Sequence, residues 1–220
     1  MFIGHFGVGL AAKRVAPRVS LGSLFLAAQF LDLLWPTLLL LGVERVAIAP
    51  GNTAVTPLDF EHYPVSHSLL AAAGWALLVA LAFYGLHRSW RGAIVIALLV
   101  LSHWGLDALM HRPDLPLTPF TSERVGLGLW NSLPLSVAAE LSVFAAGVWL
   151  YASATRARDA IGRWGMWALF ALLLAIQAGN FLGQPPPSVA AIAWVGQAQW
   201  LLVMWAYWID RHRQPRVAAT

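Results

Sequence analysis

Three acidic side chains lie deep inside long apolar stretches of the sequence: Asp32, Asp107 and Glu140. A charge at the centre of a membrane costs at least about 2.5–3.5 kcal/mol on insertion scales. All 14 Lys and Arg residues fall in loops or at the ends of these stretches, so no basic side chain within the stretches can form an ion pair with the acids. The acids must therefore be protonated, face a water-filled cavity, or be neutralised by a bound cation.

Histidines accompany one of these acids at helical spacing. In SHWGLDALMH (102–111), His103, Asp107 and His111 are four residues apart and share one face of a helix. A His and an Asp one turn apart can bind a single metal ion. The same pair can also tie two helices together through a hydrogen bond, and the spacing alone leaves both interpretations open.

Two further histidines flank a proline in EHYPVSHSLL (61–70). Pro64 suits the first turn of a helix, which places His62 in a loop and His67 near a helix start. Asp32 precedes Pro36 by four residues, so the proline cannot donate to the Asp32 carbonyl, and we expect a kink at Pro36. Counting depth along the helices predicts a funnel from His67 at the rim to Asp32 about 15 Å down. Histidine and carboxylate ligands without thiolates suit zinc, with manganese or iron as alternatives.

The composition identifies the kind of protein that positions these residues. The chain has 220 residues, of which 59% are hydrophobic, 11% are charged and none is cysteine. This excludes an ordinary soluble enzyme, a disordered chain, disulfides and thiolate chemistry. We predict an all-α, polytopic membrane bundle in a single domain, 1–220. Six apolar runs predict its transmembrane helices: 21–43, 65–86, 92–110, 131–151, 163–182 and 188–209.

The basic residues predict the orientation. Eleven of the 14 fall on one side of the predicted spans, and Arg45, Arg112 and Arg124 fall on the other. By the positive-inside rule both termini are cytoplasmic and the two longer loops face outward. The net charge of +4 thus reflects topology, and we expect no nucleic-acid partner. Residues 1–12 are too short to cross and predict a half-helix or a flat interfacial helix.

The ordered motifs resemble those of the membrane-bound metal-dependent hydrolases of bacterial inner membranes, some of them LexA-regulated. That family has a Gly-His near the N-terminus, an acidic Pro-Asp motif, a His-x₄-His-Ser motif, and Ser-His followed by Asp. The matching positions over about residues 1–115 are Gly4-His5, Asp32, His62 with His67-Ser68, and Ser102-His103 with Asp107. The resemblance implies a bacterial inner-membrane location and hydrolysis dependent on a divalent metal.

The leading hypothesis is an integral-membrane metallohydrolase with a site open to the outer face. Its predicted metal ligands are His5, Asp32, His67, His103 and Asp107. His62 is a further ligand or proton shuttle, and Glu140 is either a general base or a buried acid hydrogen-bonded to a neighbour. The expected substrate is a lipid or lipid-linked molecule, with a phosphoester as one option.

A second hypothesis assigns no catalysis. A His/Asp cluster can be a structural metal site or a polar clamp in an accessory subunit of a membrane complex, with lipid or another membrane protein as partner. The apolar second half, with seven Trp among 131–220 but few titratable groups, suits this hypothesis. A proton or metal-ion transporter is a third option, ranked last because no second acidic relay crosses the inner leaflet.

Overall fold

The computed structural model describes residues 1–216, and these form an almost entirely helical protein. Four single helices are long and apolar enough to cross a membrane: α5 (Leu69–His87), α6 (Trp90–Met110), α7 (Leu133–Ala154) and α8 (Ala160–Leu182). A fifth span, Val189–Arg211, consists of α9 (Val189–Gln197) and α10 (Gln199–Arg211). The bent pair α2 (Leu21–Ala28) and α3 (Phe30–Leu40) gives up to six spans. The predicted membrane bundle is confirmed.

The first span has a large bend that the sequence did not predict. The axes of α2 and α3 differ by 57° at Gln29, whereas α3 continues through Pro36. The kink expected at Pro36 stays a prediction. The two halves follow different neighbours, because α2 packs on α1 (Ile3–Val15), α6 and α10 while α3 packs on α9. Tertiary packing, which local sequence does not encode, sets the position of the bend.

Helix α1 is part of the bundle. Ile3, Phe6 and Leu10 are fully buried, and the helix packs mainly on α7. The two backbones nearly touch at Gly7 and Gly147, where a Cβ on Gly147 would lie 2.1 Å from the Gly7 carbonyl oxygen. Small residues permit such close helix packing in membranes. Of the two forms predicted for residues 1–12, the structure has the inserted half-helix, and the flat interfacial form was wrong.

Short strands lie at both ends of the bundle. At one end are the hairpins β1 (Arg45–Ile48) with β2 (Leu58–His62) and β3 (Leu115–Pro116) with β4 (Arg124–Val125). Between β2 and α5 runs the single turn α4 (Pro64–His67), and a 3₁₀ turn (Leu129–Asn131) precedes α7. At the other end β5 (Thr155–Ala157) pairs with β6 (Arg213–Pro215). The predicted domain 1–220 includes 217–220, which lie outside the described residues.

The outer surface of the bundle is apolar, as lipid contact requires. On α5, Leu77, Leu78 and Leu81 are exposed, whereas only small residues such as Ala72 and Ala76 are buried. The described residues form three apolar cores. One lies among α1, α2, α3, α7, α8 and α10, one among α1, α2, α3, α5 and α6, and a third joins α3 and α9 to Val46, Tyr63 and Leu115. Helices α1, α2 and α3 contribute to both of the first two cores, and this arrangement brings the start of α1 beside the end of α6.

Candidate metal centre

All five predicted metal ligands come together at one place. They come from four helices: His5 from α1, Asp32 from α3, His67 from α4, and His103 with Asp107 from α6. Their ligand atoms form two groups, His5–His103–Asp107 and Asp32–His67–His103, each with all atoms within 4.8 Å of one another. Because His103 belongs to both groups, the two form one continuous cluster.

Four of the ligand atoms have the spacing of a metal coordination sphere. His67 Nε2 lies 3.5 Å from Asp32 Oδ1 and 3.7 Å from Asp107 Oδ2. His103 Nε2 lies 3.7 Å from Asp32 Oδ1 and 3.2 Å from Asp107 Oδ2. Ligands held about 2.0–2.1 Å from a tetrahedral zinc ion are about 3.3–3.4 Å apart. The four nitrogen–oxygen distances therefore lie on either side of the ligand spacing that a zinc-sized ion requires.

His5 approaches the same cluster from the opposite side of Asp107. Its Nε2 lies 3.1 Å from Asp107 Oδ1, and its ring stacks on that of His103 with centroids 3.6 Å apart and planes within 3°. The amino nitrogen of Met1 lies 2.6 Å from the same Oδ1. The two oxygens of Asp107 thus face different partners, Oδ1 toward α1 and Oδ2 toward His67 and His103.

A backbone carbonyl fixes the orientation of the His103 ring. His103 Nδ1 lies 2.7 Å from the Ala28 carbonyl oxygen, which can only accept, so Nδ1 carries a proton. The opposite nitrogen, Nε2, is buried without a hydrogen-bond partner and points at Asp32 and Asp107. Metal-binding histidines usually donate from their second nitrogen in this way, which fixes the tautomer.

A second relay orients His67 through two residues that the sequence did not single out as site residues. The Ser66 hydroxyl donates to Glu44 Oε2 at 2.6 Å, so it accepts from His67 Nδ1 at 2.7 Å. Glu44 Oε1 accepts from the backbone N–H groups of Val65 and Ser66, both at 2.8 Å. Glu44 lies in the loop before β1, far in sequence from His67, so no local pattern could reveal it.

The electrostatics of the cluster favour a cation. The Nδ1–H group of each imidazole points away from the cluster and donates to a neighbour. The Nε2 atoms of His67 and His103 therefore face the carboxylate oxygens, and each Nε2 carries a lone pair or, in a protonated ring, a second proton. Two carboxylates and two lone pairs within 3.2–3.7 Å repel one another unless positive charge lies between them. Protons or a divalent metal ion can supply that charge, and the nitrogen–oxygen donor set suits zinc, manganese or iron.

The two predicted catalytic residues contribute no ligand atom to the two groups. Glu140 on α7 is buried, and its Oε1 and Oε2 accept from the backbone N–H groups of Phe2 and Gly4 at 2.8 and 2.9 Å. It thereby holds the first turn of α1, where the helix dipole favours an anion. His62 is exposed at the end of β2 and, within residues 1–216, contributes no ligand atom to either group.

A second polar cluster lies at the end of α6. His111 does not continue the His103–Asp107 stack toward the ligands; its Nδ1 lies 2.8 Å from Asp114 Oδ1, which also accepts from the Tyr63 hydroxyl at 2.9 Å. Burial lowers the pKa of His111 despite the opposing effect of Asp114. Burial and the Asp114 carboxylate raise the pKa of Tyr63 above its usual range, so Tyr63 stays a hydrogen-bond donor.

A large cavity connects the cluster to the end of the bundle that carries the β1–β2 hairpin. It has a volume of about 1060 Å³ and extends between α3, α8, α9, α10 and the hairpin loop. Asp32, His67 and Asp107 line it, as does Glu140. The Asp32 side chain is 23% exposed, against 3% for Asp107, so a ligand entering the cavity meets the cluster on the Asp32 side.

The comparison with known families identifies a family of membrane proteins. The family model described as "YdjM inner membrane protein" matches residues 1–184. The chain belongs to the YdjM inner membrane protein family. The match covers the five cluster residues and Glu140, and it extends well beyond the 1–115 over which the motifs resembled the LexA-regulated membrane family. Together with the apolar helices it identifies a multi-pass, membrane-embedded protein. Neither a curated protein nor a solved structure matches this YdjM-family chain.

Proposed function

We propose that this chain is an integral-membrane, metal-dependent hydrolase that acts on a lipid-like substrate from the outer face of the bacterial inner membrane. The observation that carries the proposal is the four-sided arrangement of Asp32, His67, His103 and Asp107, with edges of 3.2–3.7 Å. Both histidines are locked with Nε2 facing the carboxylates. Zinc is the expected metal, with manganese or iron as alternatives.

Each residue has a defined part in the proposal. Asp32, His67, His103 and Asp107 would hold the ion, and His5 would complete the cluster through Asp107 Oδ1 and the His103 ring. When bound, such an ion supplies Lewis acidity and a water of lowered pKa. Because Asp32 is the ligand most open to the cavity, the substrate approaches beside it. Glu140 supports the site by holding α1 against α7; its role as a base and that of His62 as a shuttle remain predictions.

The location of the cavity supports a membrane substrate. The cavity passes between α3 and the α8–α10 region, whose outer faces carry exposed apolar side chains such as Leu174, Trp194 and Val195. It reaches the cluster near the outward end of α6, at Asp107. A lipid in the outer leaflet could therefore reach the cluster without leaving the apolar phase.

Two measurements test the proposal on the purified full chain. The first is metal content by mass spectrometry; about one ion per chain that a chelator removes is expected. The second is hydrolysis of a panel of acyl-ester, acyl-amide and phosphoester lipids in detergent, which the chelator should abolish and added zinc should restore. Stoichiometric metal without turnover on any of these lipids would contradict the hydrolase and favour the accessory-subunit hypothesis. Absence of bound metal would contradict the metal centre itself.

A further inference from the structure

We infer that the cavity selects an uncharged acyl lipid, cleaved at a carboxylic ester or amide bond, and discriminates against phosphate-bearing lipids. This inference rests on the proposed hydrolase function and narrows its substrate. It follows from the charge and the hydrogen-bonding groups of the cavity wall.

The wall lacks the side chains that bind phosphate. In the part of the chain covered by 1–216, no Lys or Arg lines the cavity, although these are the side chains that usually recognise phosphate. Met1 does line the cavity, but its amino nitrogen lies 2.6 Å from Asp107 Oδ1 and is already paired. An entering anionic headgroup would find no free basic side chain there.

The wall carries no surplus positive charge. Asp32, Asp107 and Glu140 all line the cavity. The Met1 ammonium beside Asp107 and a divalent ion at the cluster together only balance these three carboxylates. A phosphomonoester has a charge of about −1.5 to −2 at neutral pH, and placing it beside these groups in a low-dielectric cavity is unfavourable. A neutral ester or amide avoids this repulsion.

Uncharged polar groups are present where a neutral headgroup would bind. Gln177 on α8 and Gln199 on α10 line the cavity, and their Oε1 atoms have no hydrogen-bond partner in the protein. Gln199 lies beside the cluster, with its Nε2 3.5 Å from the Asp32 carbonyl oxygen. The last side-chain torsion of glutamine is broad, so both amides can turn to pair with hydroxyl or carbonyl groups of a ligand. Trp35 and Trp205 also line the cavity, and the indole N–H group of each is buried without a hydrogen-bond partner in the protein.

The rest of the cavity suits an acyl chain. Leu172, Ile176, Ile192 and Leu202 contribute apolar surface on α8, α9 and α10. The volume of about 1060 Å³ is at the upper end of ligand pockets, which run from about 300 to 1,000 Å³. The cavity thus offers apolar space with neutral hydrogen-bonding groups near the cluster.

The reaction needs no reactant besides water. One bond forms between the water oxygen and the acyl carbon, and the bond from that carbon to the ester oxygen or amide nitrogen breaks. The departing oxygen or nitrogen takes one water proton, and the other leaves with the carboxylic acid, which ionises. The products are a fatty acid and a neutral alcohol or an amine.

Photoaffinity labelling can test the selectivity independently of turnover. Two probes share an alkyl-glycerol ether with a diazirine in the alkyl chain, and one of them, the phosphate probe, carries a methylenephosphonate in place of a phosphate ester on the glycerol. Neither the ether nor the phosphonate can be hydrolysed, so labelling of the full chain in detergent reports binding alone. We expect the neutral probe to label peptides of α8 and α10 at least about tenfold more than the phosphate probe, which corresponds to about 1.4 kcal/mol.

Variants identify the recognition groups. Gln177→Leu combined with Gln199→Leu should reduce labelling by the neutral probe about tenfold. Gln197→Leu is the matched control, because Gln197 lies outside the cavity lining and donates to Thr37. Equal or stronger labelling by the phosphate probe in the unmodified chain would overturn the inference, as would absence of cavity labelling by either probe. Failure of hydrolysis with intact neutral labelling would instead overturn the proposed function and leave the lipid site.

Discussion

The imidazole rings of His5 and His103 lie parallel, 3.6 Å apart, although the two residues belong to helices that are distant in sequence. This stacking ties the first helix to the cluster, because His103 also contributes to both groups of ligand atoms. The His/Asp cluster is therefore complete only when α1 packs among α2, α6 and α7.

Metal content should depend most strongly on His103. His103→Ala removes a ligand from both groups, so we expect at least about a tenfold loss of zinc affinity, or about 1.4 kcal/mol. His87→Ala is the control, because His87 is exposed at the end of α5. Metal-to-protein ratios after dialysis against graded free zinc measure the effect. Equal ratios in the two variants would contradict a metal role for His103.

The Glu44–Ser66–His67 relay should tune the affinity without supplying ligands. Glu44→Gln and Ser66→Ala leave all five candidate ligands in place but free the His67 ring. Loss of such outer contacts typically lowers metal affinity about 10–100-fold. We expect full occupancy to return at higher zinc, at a lower zinc concentration than His103→Ala requires.

Glu61→Gln, an exposed change on β2, provides the control for Glu44→Gln. If the zinc titrations of Glu44→Gln and Ser66→Ala superimpose on that of Glu61→Gln, the relay does not affect metal affinity and this prediction is wrong.

Glu140 should stabilise the docking of α1. In Glu140→Gln one of the two oxygens that accept from Phe2 and Gly4 becomes an N–H₂ group, so a buried N–H loses its partner. This costs about 1–3 kcal/mol, measurable as a lower free energy of unfolding in a detergent–denaturant titration. The exposed Glu123→Gln should have no such effect. A variant as stable as the unmodified chain but inactive would instead support Glu140 as a general base.

The crossing of α1 and α7 should tolerate no side chain at Gly147. The Cβ of Gly147→Ala would lie 2.1 Å from the Gly7 carbonyl oxygen, so the helices must separate, which destabilises by about 1–3 kcal/mol or more. Gly74→Ala on α5 is the matched control, since nothing lies within 4 Å of its Cβ; alanine there should be stabilising by about 0.5–1 kcal/mol. Similar unfolding free energies for both variants would argue against this packing.

Cysteine labelling can establish the proposed orientation, because the chain has no native cysteine. Phe120→Cys is in the hairpin region predicted to face outward, and Ala160→Cys is at the start of α8 on the other side. A membrane-impermeant maleimide should label only the Phe120→Cys variant in spheroplasts and both variants after lysis. The reverse pattern would place the cluster nearer the cytoplasmic face.

Sequence reasoning identified the five residues that form the His/Asp cluster but not the residues that orient them. Buried acids without basic partners, and the His103–Asp107 spacing, are visible in the chain because charge in an apolar run is rare. The hydrogen bonds of Glu44, Ser66 and the Ala28 carbonyl join residues from different elements, and ordinary polar residues in loops carry no such signal. The exposed position of His62 and the capping role of Glu140 were likewise decided by the neighbours of each residue.

By itself the sequence determined the membrane bundle, its approximate spans and the five residues of the cluster, because apolar run length and misplaced charge are local properties of a chain. Only the tertiary structure decided that the bend lies at Gln29, that α1 inserts, and that the wall of the cavity is free of Lys and Arg over residues 1–216. These depend on which helix faces pack together, and that packing is settled by contacts between residues far apart in sequence.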